Sequence, residues 1–362
     1  MVDIAVREPI SHPTEAPVEG RYHVARAPID SLPVIDFSAF TGNGSVAEKR
    51  ATAAEIRAAC TDLGFFYLSG HGLPDSHIPE TFEWAYRFFA LPAEIKMKVH
   101  SGLSDANRGY NPLPAEDFAK LPTGAPDYKE TFDTCREMAD GDPEWTTSFM
   151  GANQWPSDED LPGFRAFMRQ CLTLRLGLLR RLMQAIAVGL DLPETYFDAA
   201  HEYPGVTMRL LHHPSIDPET ADETQWSVAQ HADYGSLTIL AQTHDGLQVM
   251  NAAGDWIGVP PVPGAFVVNV GNLLARWTND LFLSSIHRVA NLTGEARIST
   301  PMFLMPQGDF PIECIPTCCS AENPPHYPPT TSNETAAENI RQAKLRGRPV
   351  VTGQAAKRLG NG

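Results

Sequence analysis

Three residues of the chain have the chemical types and the spacing to hold one metal ion. His231 and Asp233 are two residues apart within residues 227–242, a segment with the pattern of a β-strand, so their side chains should project from the same face. His287 lies in a second strand-like run, residues 284–289, and supplies a third ligand. Two histidines and one carboxylate form the facial triad that leaves positions open on a non-haem Fe(II), whereas zinc favours a closed tetrahedral site and has no redox chemistry. The pattern predicts a catalytic mononuclear iron centre.

The His-x-Asp pair is a weak signal when it stands alone, because a chain with 12 histidines contains such pairs by chance. A hydrogen-bonded strand histidine beside a turn aspartate is the structural alternative. Arg297 and Ser299 favour the metal site, since they share one strand face and a hairpin at residues 291–294 would bring them back beside His287. An arginine fork binds a carboxylate bidentately and a serine hydroxyl adds a donor, which predicts a dicarboxylate ligand. The alternative for Arg297 is a surface pair with an aspartate.

Strand alternation also nominates residues of a substrate pocket. Phe303 has the same parity as Arg297 and Ser299, so it should face the same cavity and stack on a planar substrate, or else fill the core between two sheets. Arg209 shares its parity with His213 on an earlier strand, and a charge on an inward strand face needs a partner. We therefore expect Arg209 to pair with an acidic side chain or to reach the substrate.

Hydrophobic periodicity predicts the elements that position these residues. Three segments have helical spacing, residues 47–63, 80–91 and 161–190, and two have the pattern of short strands, residues 32–37 and 65–68. The longest helix carries one apolar stripe and should pack against a sheet. Residues 101–160 show little periodicity and are predicted to be irregular. From residue 207 onward, short runs rich in Val, Ile, Leu and Phe alternate with turn residues, which predicts a β-sandwich or barrel.

Composition and charge exclude several classes of function. The chain has 362 residues, and 28 Lys and Arg against 44 Asp and Glu give a formal net charge of -16, which argues against binding nucleic acid. Residues 1–26 lack the apolar core of a signal peptide, and no later run approaches about 18 apolar residues, so we expect no membrane span and a cytoplasmic location. Six scattered cysteines, among them Cys314, Cys318 and Cys319, are expected to be reduced thiols rather than a disulfide framework or a metal site.

The motifs His231-x-Asp233, His287-Arg288-Val289 and Arg297-x-Ser299 together resemble the signature of the Fe(II)/2-oxoglutarate dioxygenases of the isopenicillin N synthase-like family. The resemblance extends from about residue 32 to residue 329. Its other landmarks are residues 32–37, 64–67, 70–72, 89–92, 107–110 and 129–132. Residues 209–212, 246–249 and 272–277 are most similar to the thymine 7-hydroxylase-like microbial members.

The resemblance implies a mainly β fold with flanking helices, whose core is a double-stranded β-helix, or jelly-roll. Its metal ligands carry over to His231, Asp233 and His287, and its co-substrate contacts to Arg297 and Ser299, with His213 standing where many members have tyrosine. It also places Tyr234 at the rim of the substrate pocket, although strand alternation would turn that side chain to the opposite face.

The implied activity is the oxidation of a C–H bond in a small-molecule substrate, by hydroxylation or desaturation, with release of succinate and CO2. Fe(II), 2-oxoglutarate and O2 are the implied cofactors and co-substrates. One alternative is an oxidase of the same fold that does not consume 2-oxoglutarate, in which Arg297 and Ser299 hold the substrate's own carboxylate. A non-catalytic small-molecule-binding protein is the other, and the complete triad argues against it because buried metal ligands cost stability.

The motifs span both halves of the chain, so we expect one domain rather than two. Residues 1–30 should form a mobile N-terminal arm, and residues 31–335 a single dioxygenase domain. Within it, residues 31–200 form a helical N-terminal part and residues 205–320 the jelly-roll core with the iron site. Residues 336–362 are expected to form a C-terminal helix and tail.

Overall fold

The computed structural model describes residues 32–104, 106, 108–113, 127–137, 151–217, 219 and 225–338. The expected N-terminal arm and residues 339–362 of the expected tail lie outside the described residues. The helices are α1 (Ser38–Thr41), α2 (Val46–Asp62), α3 (His77–Phe89), α4 (Ala93–Met97), α5 (Phe164–Gly189) and α6 (Asn272–Trp277), and residues 332–338 are also helical. The strands are β1 (Val34–Asp36), β2 (Phe65–Ser69), β3 (Gly109–Asn111), β4 (Glu130–Thr134), β5 (Gly205–His213), β6 (Val228–His231), β7 (Leu237–Gln242), β8 (Leu247–Met250), β9 (Trp256–Gly258), β10 (Phe266–Val270), β11 (His287–Val289), β12 (Arg297–Met305), β13 (Pro311–Ile312) and β14 (Thr330–Thr331).

Two β-sheets packed face to face form the centre of the fold. The large sheet has the strand order β1-β2-β10-β7-β12-β5-β4-β3, and the small sheet the order β6-β11-β8-β9. Apolar side chains of both sheets meet between them, among them Phe65 and Val267 from the large sheet and Val249 and Val289 from the small one. The predicted mainly β fold with a jelly-roll core is confirmed.

Alternation along β12 separates a helix-packed face from a polar inner face. Ile298, Met302 and Leu304 belong to the large apolar cluster that the helices cover, whereas Arg297, Ser299 and Phe303 alternate to the opposite face, toward the small sheet. The long helix α5 packs on this outer face, as predicted, and Arg175 on α5 donates to the Thr300 carbonyl oxygen at 2.7 Å. Among the helices of the described residues, none is both long and apolar enough to cross a membrane.

Helix α2 has clear local signals at both ends. Ser45 and Glu48 form a capping box, in which the Ser45 hydroxyl accepts from the Glu48 amide and the Glu48 carboxylate accepts from the Ser45 amide. At the other end, Gly64 has a φ of 75°, and a side chain there would collide with the Leu283 carbonyl oxygen. The helix therefore begins and ends close to its predicted limits.

The prediction that residues 101–160 are irregular is wrong for part of the segment. Strands β3 and β4 lie in it, and they extend the large sheet because β4 pairs with β5 and β3 pairs with β4. Strand β4 is buried along its whole length although four of its five residues are polar. Hydrophobic alternation could not reveal a strand whose buried positions are occupied by paired polar side chains.

The prediction of one continuous strand over residues 227–242 is also wrong. Strand β6 ends at His231 in the small sheet, and β7 begins at Leu237 in the large sheet. Between them the chain crosses from one sheet to the other, and a side chain on Gly271 would collide with the Gly235 carbonyl oxygen in this crossing. Asp233 therefore lies in the crossing segment and not on a strand face with His231.

The expected hairpin between His287 and Arg297 does not form. Strand β11 pairs with β6 and β8 in the small sheet, whereas β12 pairs with β5 and β7 in the large one. Asn291 stabilises the segment that connects β11 to β12, because its side-chain amide donates to the His213 and Glu295 carbonyl oxygens at 2.8 Å each. Arg297 thus reaches the region of His287 across the space between the sheets.

A buried carboxylate joins β3, β4 and β5 to helix α4. Glu130 accepts hydrogen bonds from Lys96 at 2.7 Å and from the Tyr110 hydroxyl at 2.7 Å, and its other oxygen lies 2.8 Å from Nδ1 of His212. Burial alone would raise the pKa of Glu130, but the hydrogen bonds from His212, Lys96 and Tyr110 lower this pKa to about 2. The network keeps the carboxylate charged and fixes the strand next to His213.

Glu130→Gln is expected to lower the free energy of unfolding at pH 7 by about 3 kcal/mol, because it leaves the buried Lys96 ammonium without its counter-ion. The folded-state pKa lies below the ordinary value of 4.5, so this stabilisation is present above that pH and is lost as the pH falls towards about 2. Urea unfolding between pH 3 and pH 7 measures it. Glu194→Gln is the control, since its pair with Lys49 has the same 2.7 Å separation but is partly exposed and should contribute less than about 1 kcal/mol. Equal losses in both variants would contradict the prediction.

Candidate metal centre and anion pocket

His231, Asp233 and His287 converge at one end of the space between the sheets. Nε2 of His231 lies 3.7 Å and Nε2 of His287 lies 3.6 Å from the same oxygen, Oδ1 of Asp233. The two histidines face each other across the β6–β11 pair, with ring centroids 4.2 Å apart. Among the residues that the structure describes, this is the one group of three or more metal-binding side chains whose donor atoms lie within 4.8 Å of one another.

Neighbouring groups leave one donor atom of each side chain available. Nδ1 of His231 lies 2.9 Å from the Ala229 carbonyl oxygen, and Nδ1 of His287 lies 3.2 Å from that of Ser285. A carbonyl oxygen only accepts, so each Nδ1 carries a proton and Nε2 is the ring nitrogen that faces the possible metal. Burial and the adjacent His287 lower the pKa of His231 to about 4, which keeps this ring neutral.

Asp233 is held by two donors on the oxygen that faces away from the histidines. Its Oδ2 accepts from the Thr238 hydroxyl at 2.6 Å and from the Asn269 amide at 2.7 Å. Burial would raise the pKa of Asp233, yet the two imidazoles and these two hydrogen bonds keep the pKa below its ordinary value. Two imidazoles and one carboxylate are the donor set that suits Fe(II), and their grouping on one side leaves room for further ligands.

Arg297 lies fully buried on the inner face of β12. Its Nε donates to the His244 carbonyl oxygen at 3.1 Å, its NH2 group donates to Oε1 of Gln242 at 2.5 Å, and its NH1 group has no hydrogen-bond partner. No carboxylate of the described residues lies within ion-pair distance of this guanidinium. Burial lowers the pKa of Arg297 to about 9, although the negative charge of Asp245 opposes this shift. A buried cation with an unmatched donor fits an anionic ligand.

The structure brings Ser299 and His213 to the same place. Arg297 pairs with His213 across β12 and β5, and Nε2 of His213 lies 3.0 Å from the Ser299 hydroxyl oxygen. His213 is completely buried, and burial together with the Arg297 charge holds its pKa well below the ordinary value. A neutral imidazole, a hydroxyl and a guanidinium therefore lie side by side on the inner face of the large sheet.

The three expected substrate contacts occupy different positions. Arg209 was expected to pair with an acidic side chain or to reach the substrate. It forms a bidentate ion pair with Asp133, with its Nε and NH2 groups 2.6 Å and 2.7 Å from the two carboxylate oxygens. The Tyr234 hydroxyl donates to the Ser332 carbonyl oxygen at 2.5 Å and lies 2.7 Å from the Thr335 hydroxyl, so it contacts the C-terminal segment. Their roles toward a substrate stay predictions.

Phe303 lies on the inner face of β12, close in register to a residue that supports Asp233. It is half-buried, and it lies opposite Thr238, the residue that supports Asp233, and opposite Thr207. It is not part of the apolar clusters found among the described residues, in contrast to its neighbours Met302 and Leu304. This placement favours a cavity-facing aromatic over a core filler.

Sequence reasoning missed the residues that hold the site in place. Thr238 and Asn269 support Asp233, Gln242 supports Arg297, and Asp133 pairs with Arg209. One signal was available in Leu237–Gln242 and Phe266–Val270, where a few polar residues interrupt otherwise apolar, buried strands. Buried polar residues of this kind require partners, but the sequence alone does not say which ones.

Comparison with known proteins gives consistent results. Residues 32–158 match the family described as non-haem dioxygenase in morphine synthesis N-terminal, and residues 204–306 match the 2OG-Fe(II) oxygenase superfamily. The chain is 36% identical over 317 residues to the 2-oxoglutarate-Fe(II) type oxidoreductase hxnY of Emericella nidulans. The aligned region covers 86% of this chain and 90% of that protein. It is 34% identical to the homoarginine-6-hydroxylase 2-ODD-C23 of Glycine max, and this alignment covers 79% of this chain and 89% of that protein.

Solved structures are similar over almost the same length. The crystal structure of the full-length thymine 7-hydroxylase of Neurospora crassa in complex with α-KG superposes with a TM-score of 0.77 at 32% identity, covering 87% of this chain and 98% of that one. The complex of the same protein with α-KG and thymine gives a TM-score of 0.76. A putative 2OG-Fe(II) oxygenase family protein from Caulobacter crescentus superposes with a TM-score of 0.75 at 30% identity, covering 86% of this chain and 99% of that one.

Proposed function

The chain belongs to the 2OG-Fe(II) oxygenase superfamily, and we propose that His231, Asp233 and His287 are the ligands with which it holds Fe(II). It is an Fe(II)- and 2-oxoglutarate-dependent oxidoreductase that acts on a small molecule and releases succinate and CO2. The observation that carries the assignment of the ligands is the convergence of their three donor atoms within 4.8 Å. The bound iron supplies the redox chemistry that couples decarboxylation of 2-oxoglutarate to oxidation of a C–H bond.

Arg297, Ser299 and His213 are proposed to bind the distal carboxylate of 2-oxoglutarate. The unmatched NH1 group of Arg297 donates to this carboxylate, and the Ser299 hydroxyl adds a second donor. Because His213 is neutral, it can donate from Nε2 to the Ser299 oxygen, which turns the Ser299 proton toward the ligand. The co-substrate thereby adds the directly hydrogen-bonded negative charge that the two neutral partners of Arg297 do not supply.

Neither alternative of the sequence analysis is retained. Relatives and structural neighbours are 2-oxoglutarate-dependent enzymes, and structures of this kind contain α-KG itself. A 2-oxoglutarate-independent oxidase would leave these relationships unexplained, as would a non-catalytic binding protein.

The substrate is proposed to lie against Phe303, with the Arg209–Asp133 pair and Tyr234 at the edges of its cavity. Phe303 offers an aromatic face on the same side of β12 as Ser299, which suits a planar group. The Arg209–Asp133 pair is neutral as a unit and offers both donors and acceptors. A succinate-release screen over nucleobases, amino-acid derivatives, terpenoids and polyketides would identify the substrate class.

An anaerobic titration tests the co-substrate assignment directly. Addition of 2-oxoglutarate to the Fe(II)-loaded protein without oxygen is expected to produce a visible charge-transfer absorbance, because the 2-oxo acid would chelate an iron held by His231, Asp233 and His287. Succinate should then form when oxygen and a substrate are admitted. Absence of both the absorbance and succinate would contradict the proposed function.

A further inference from the structure

Gln242 is held on both sides in the space between the sheets. It lies on the inner face of β7 opposite Ser299 and is buried. Its amide nitrogen donates to the Val259 carbonyl oxygen at 2.7 Å, and its amide oxygen accepts from the NH2 group of Arg297 at 2.5 Å. Since the Val259 oxygen can only accept, the nitrogen must face Val259 and the oxygen must face Arg297. The orientation of the amide is therefore fixed by the fold.

This contact holds Arg297 without neutralising it. The other fixed partner of the guanidinium is the His244 carbonyl oxygen, so both partners are uncharged acceptors. A glutamate at position 242 would form a stronger, charge-assisted contact, but it would also supply the negative charge that a buried guanidinium requires. The amide fixes the direction of the guanidinium and adds no charge of its own, and the Asp245 carboxylate acts on Arg297 only through space, without an ion pair.

We propose that Gln242 is a positioning residue for the co-substrate: it orients Arg297 through a neutral hydrogen bond and so keeps the guanidinium charge for the distal carboxylate. This inference rests on the proposed role of Arg297. Two of the three guanidinium nitrogens are engaged by His244 and Gln242, and the third, NH1, is buried without a hydrogen-bond partner. Gln242 thus acts on the ligand through Arg297.

The test compares two ligands that differ only at the distal end. 2-Oxoglutarate and 2-oxopentanoate bind a metal through the same 1-carboxylate and 2-oxo group, but only the first carries a distal carboxylate. In the Fe(II)-loaded full chain under anaerobic conditions, Gln242→Glu is expected to raise the dissociation constant of 2-oxoglutarate about 100-fold, because the new carboxylate pairs with Arg297 and repels the ligand. The dissociation constant of 2-oxopentanoate should change by less than about threefold.

A matched control exists on the other face of the small sheet. Oε1 of Gln248 accepts from Nε of Arg288 at 2.7 Å, and both residues are buried but alternate away from the metal centre. Gln248→Glu makes the same chemical change beside a different arginine. It is expected to leave the dissociation constants of both ligands unchanged.

Each outcome has a definite meaning. Unchanged 2-oxoglutarate binding in Gln242→Glu would overturn the inference, and so would an equal loss for both ligands, since that result indicates a merely structural role. If Gln242→Glu does not fold, Gln242→Met removes the acceptor at similar volume and should weaken 2-oxoglutarate about tenfold while 2-oxopentanoate binding is retained. Arg297→Met separates the two proposals. If Arg297→Met binds 2-oxoglutarate as tightly as the unmodified chain, the proposed role of Arg297 is wrong. If Arg297→Met loses this affinity but Gln242→Glu keeps it, only the inference on Gln242 is wrong.

Discussion

His231→Ala is expected to abolish substrate-dependent succinate formation and to lower the affinity for Fe(II) by more than about 100-fold. Mutation of a residue that merely supports a metal ligand commonly costs about 10- to 100-fold in affinity or activity, so loss of a ligand should cost more. The remaining donors, Asp233 and His287, cannot fix one face of the metal alone. Iron content after dialysis and succinate release under saturating 2-oxoglutarate measure the two effects.

His326→Ala is the matched control for this variant. His326 is exposed and contacts Asp280 and Asn323, outside the metal centre. It should retain the iron content and the turnover of the unmodified chain. Wild-type activity in His231→Ala would remove His231 from the metal site, and a loss of iron in both variants would show that the assay reports general instability.

The identity of the three proposed ligands could be predicted from the sequence, but the path that brings them together could not. Alternation along one strand was the reason to group His231 with Asp233, yet β6 ends at His231 and Asp233 lies where the chain changes sheets. A hairpin was the reason to group Arg297 with His287, yet these residues lie on different sheets. The residue types were informative because few combinations of side chains can bind both iron and a dicarboxylate. The crossing between the sheets, in contrast, depends on contacts between residues that are distant in sequence.

Elements with strong local signals were predicted well. The capping box of Ser45 and Glu48, the turn at Gly64 and the apolar stripe of α5 are all encoded within a few residues or one helix face. Strand β4 was missed because its stability comes from partners on other elements, such as the pair of Glu130 with Lys96. A buried polar strand cannot be distinguished from a loop until its partners are known.

The supporting residues of the site depend on cross-strand register. Gln242 faces Arg297 because β7 and β12 pair with Ser299 opposite Gln242, and Asn269 reaches Asp233 because β10 pairs with β7 at Thr238. A shift of register by one residue would turn each of these side chains to the helix-packed face. The sequence specifies them only through the complete sheet.

Arg297 is the residue for which a conservative change should have the next largest effect. Its guanidinium is planar and offers several donors in a fixed fork, and the existing contacts with His244 and Gln242 use two of its nitrogens while NH1 has no partner. A lysine offers one ammonium group, so it cannot satisfy both neutral acceptors and the ligand in the same geometry. Burial already lowers the pKa of Arg297 to about 9, and the same burial would act on an ammonium with a lower ordinary pKa.

Arg297→Lys is therefore expected to raise the apparent KM for 2-oxoglutarate about 10- to 100-fold and to change kcat by less than about threefold, because the lost interaction is with the part of the co-substrate that does not react. The KM of the variant should increase further as the pH rises, since a lysine that loses its proton no longer attracts the carboxylate. Succinate release measured against 2-oxoglutarate concentration at several pH values tests both points.

Arg288→Lys is the control, because Arg288 lies on the outer face between Trp226 and Trp256, and it should leave the KM for 2-oxoglutarate unchanged. A large fall in kcat with an unaltered KM would instead place Arg297 at the reacting centre, because only a group that acts in the chemical step lowers turnover without weakening binding.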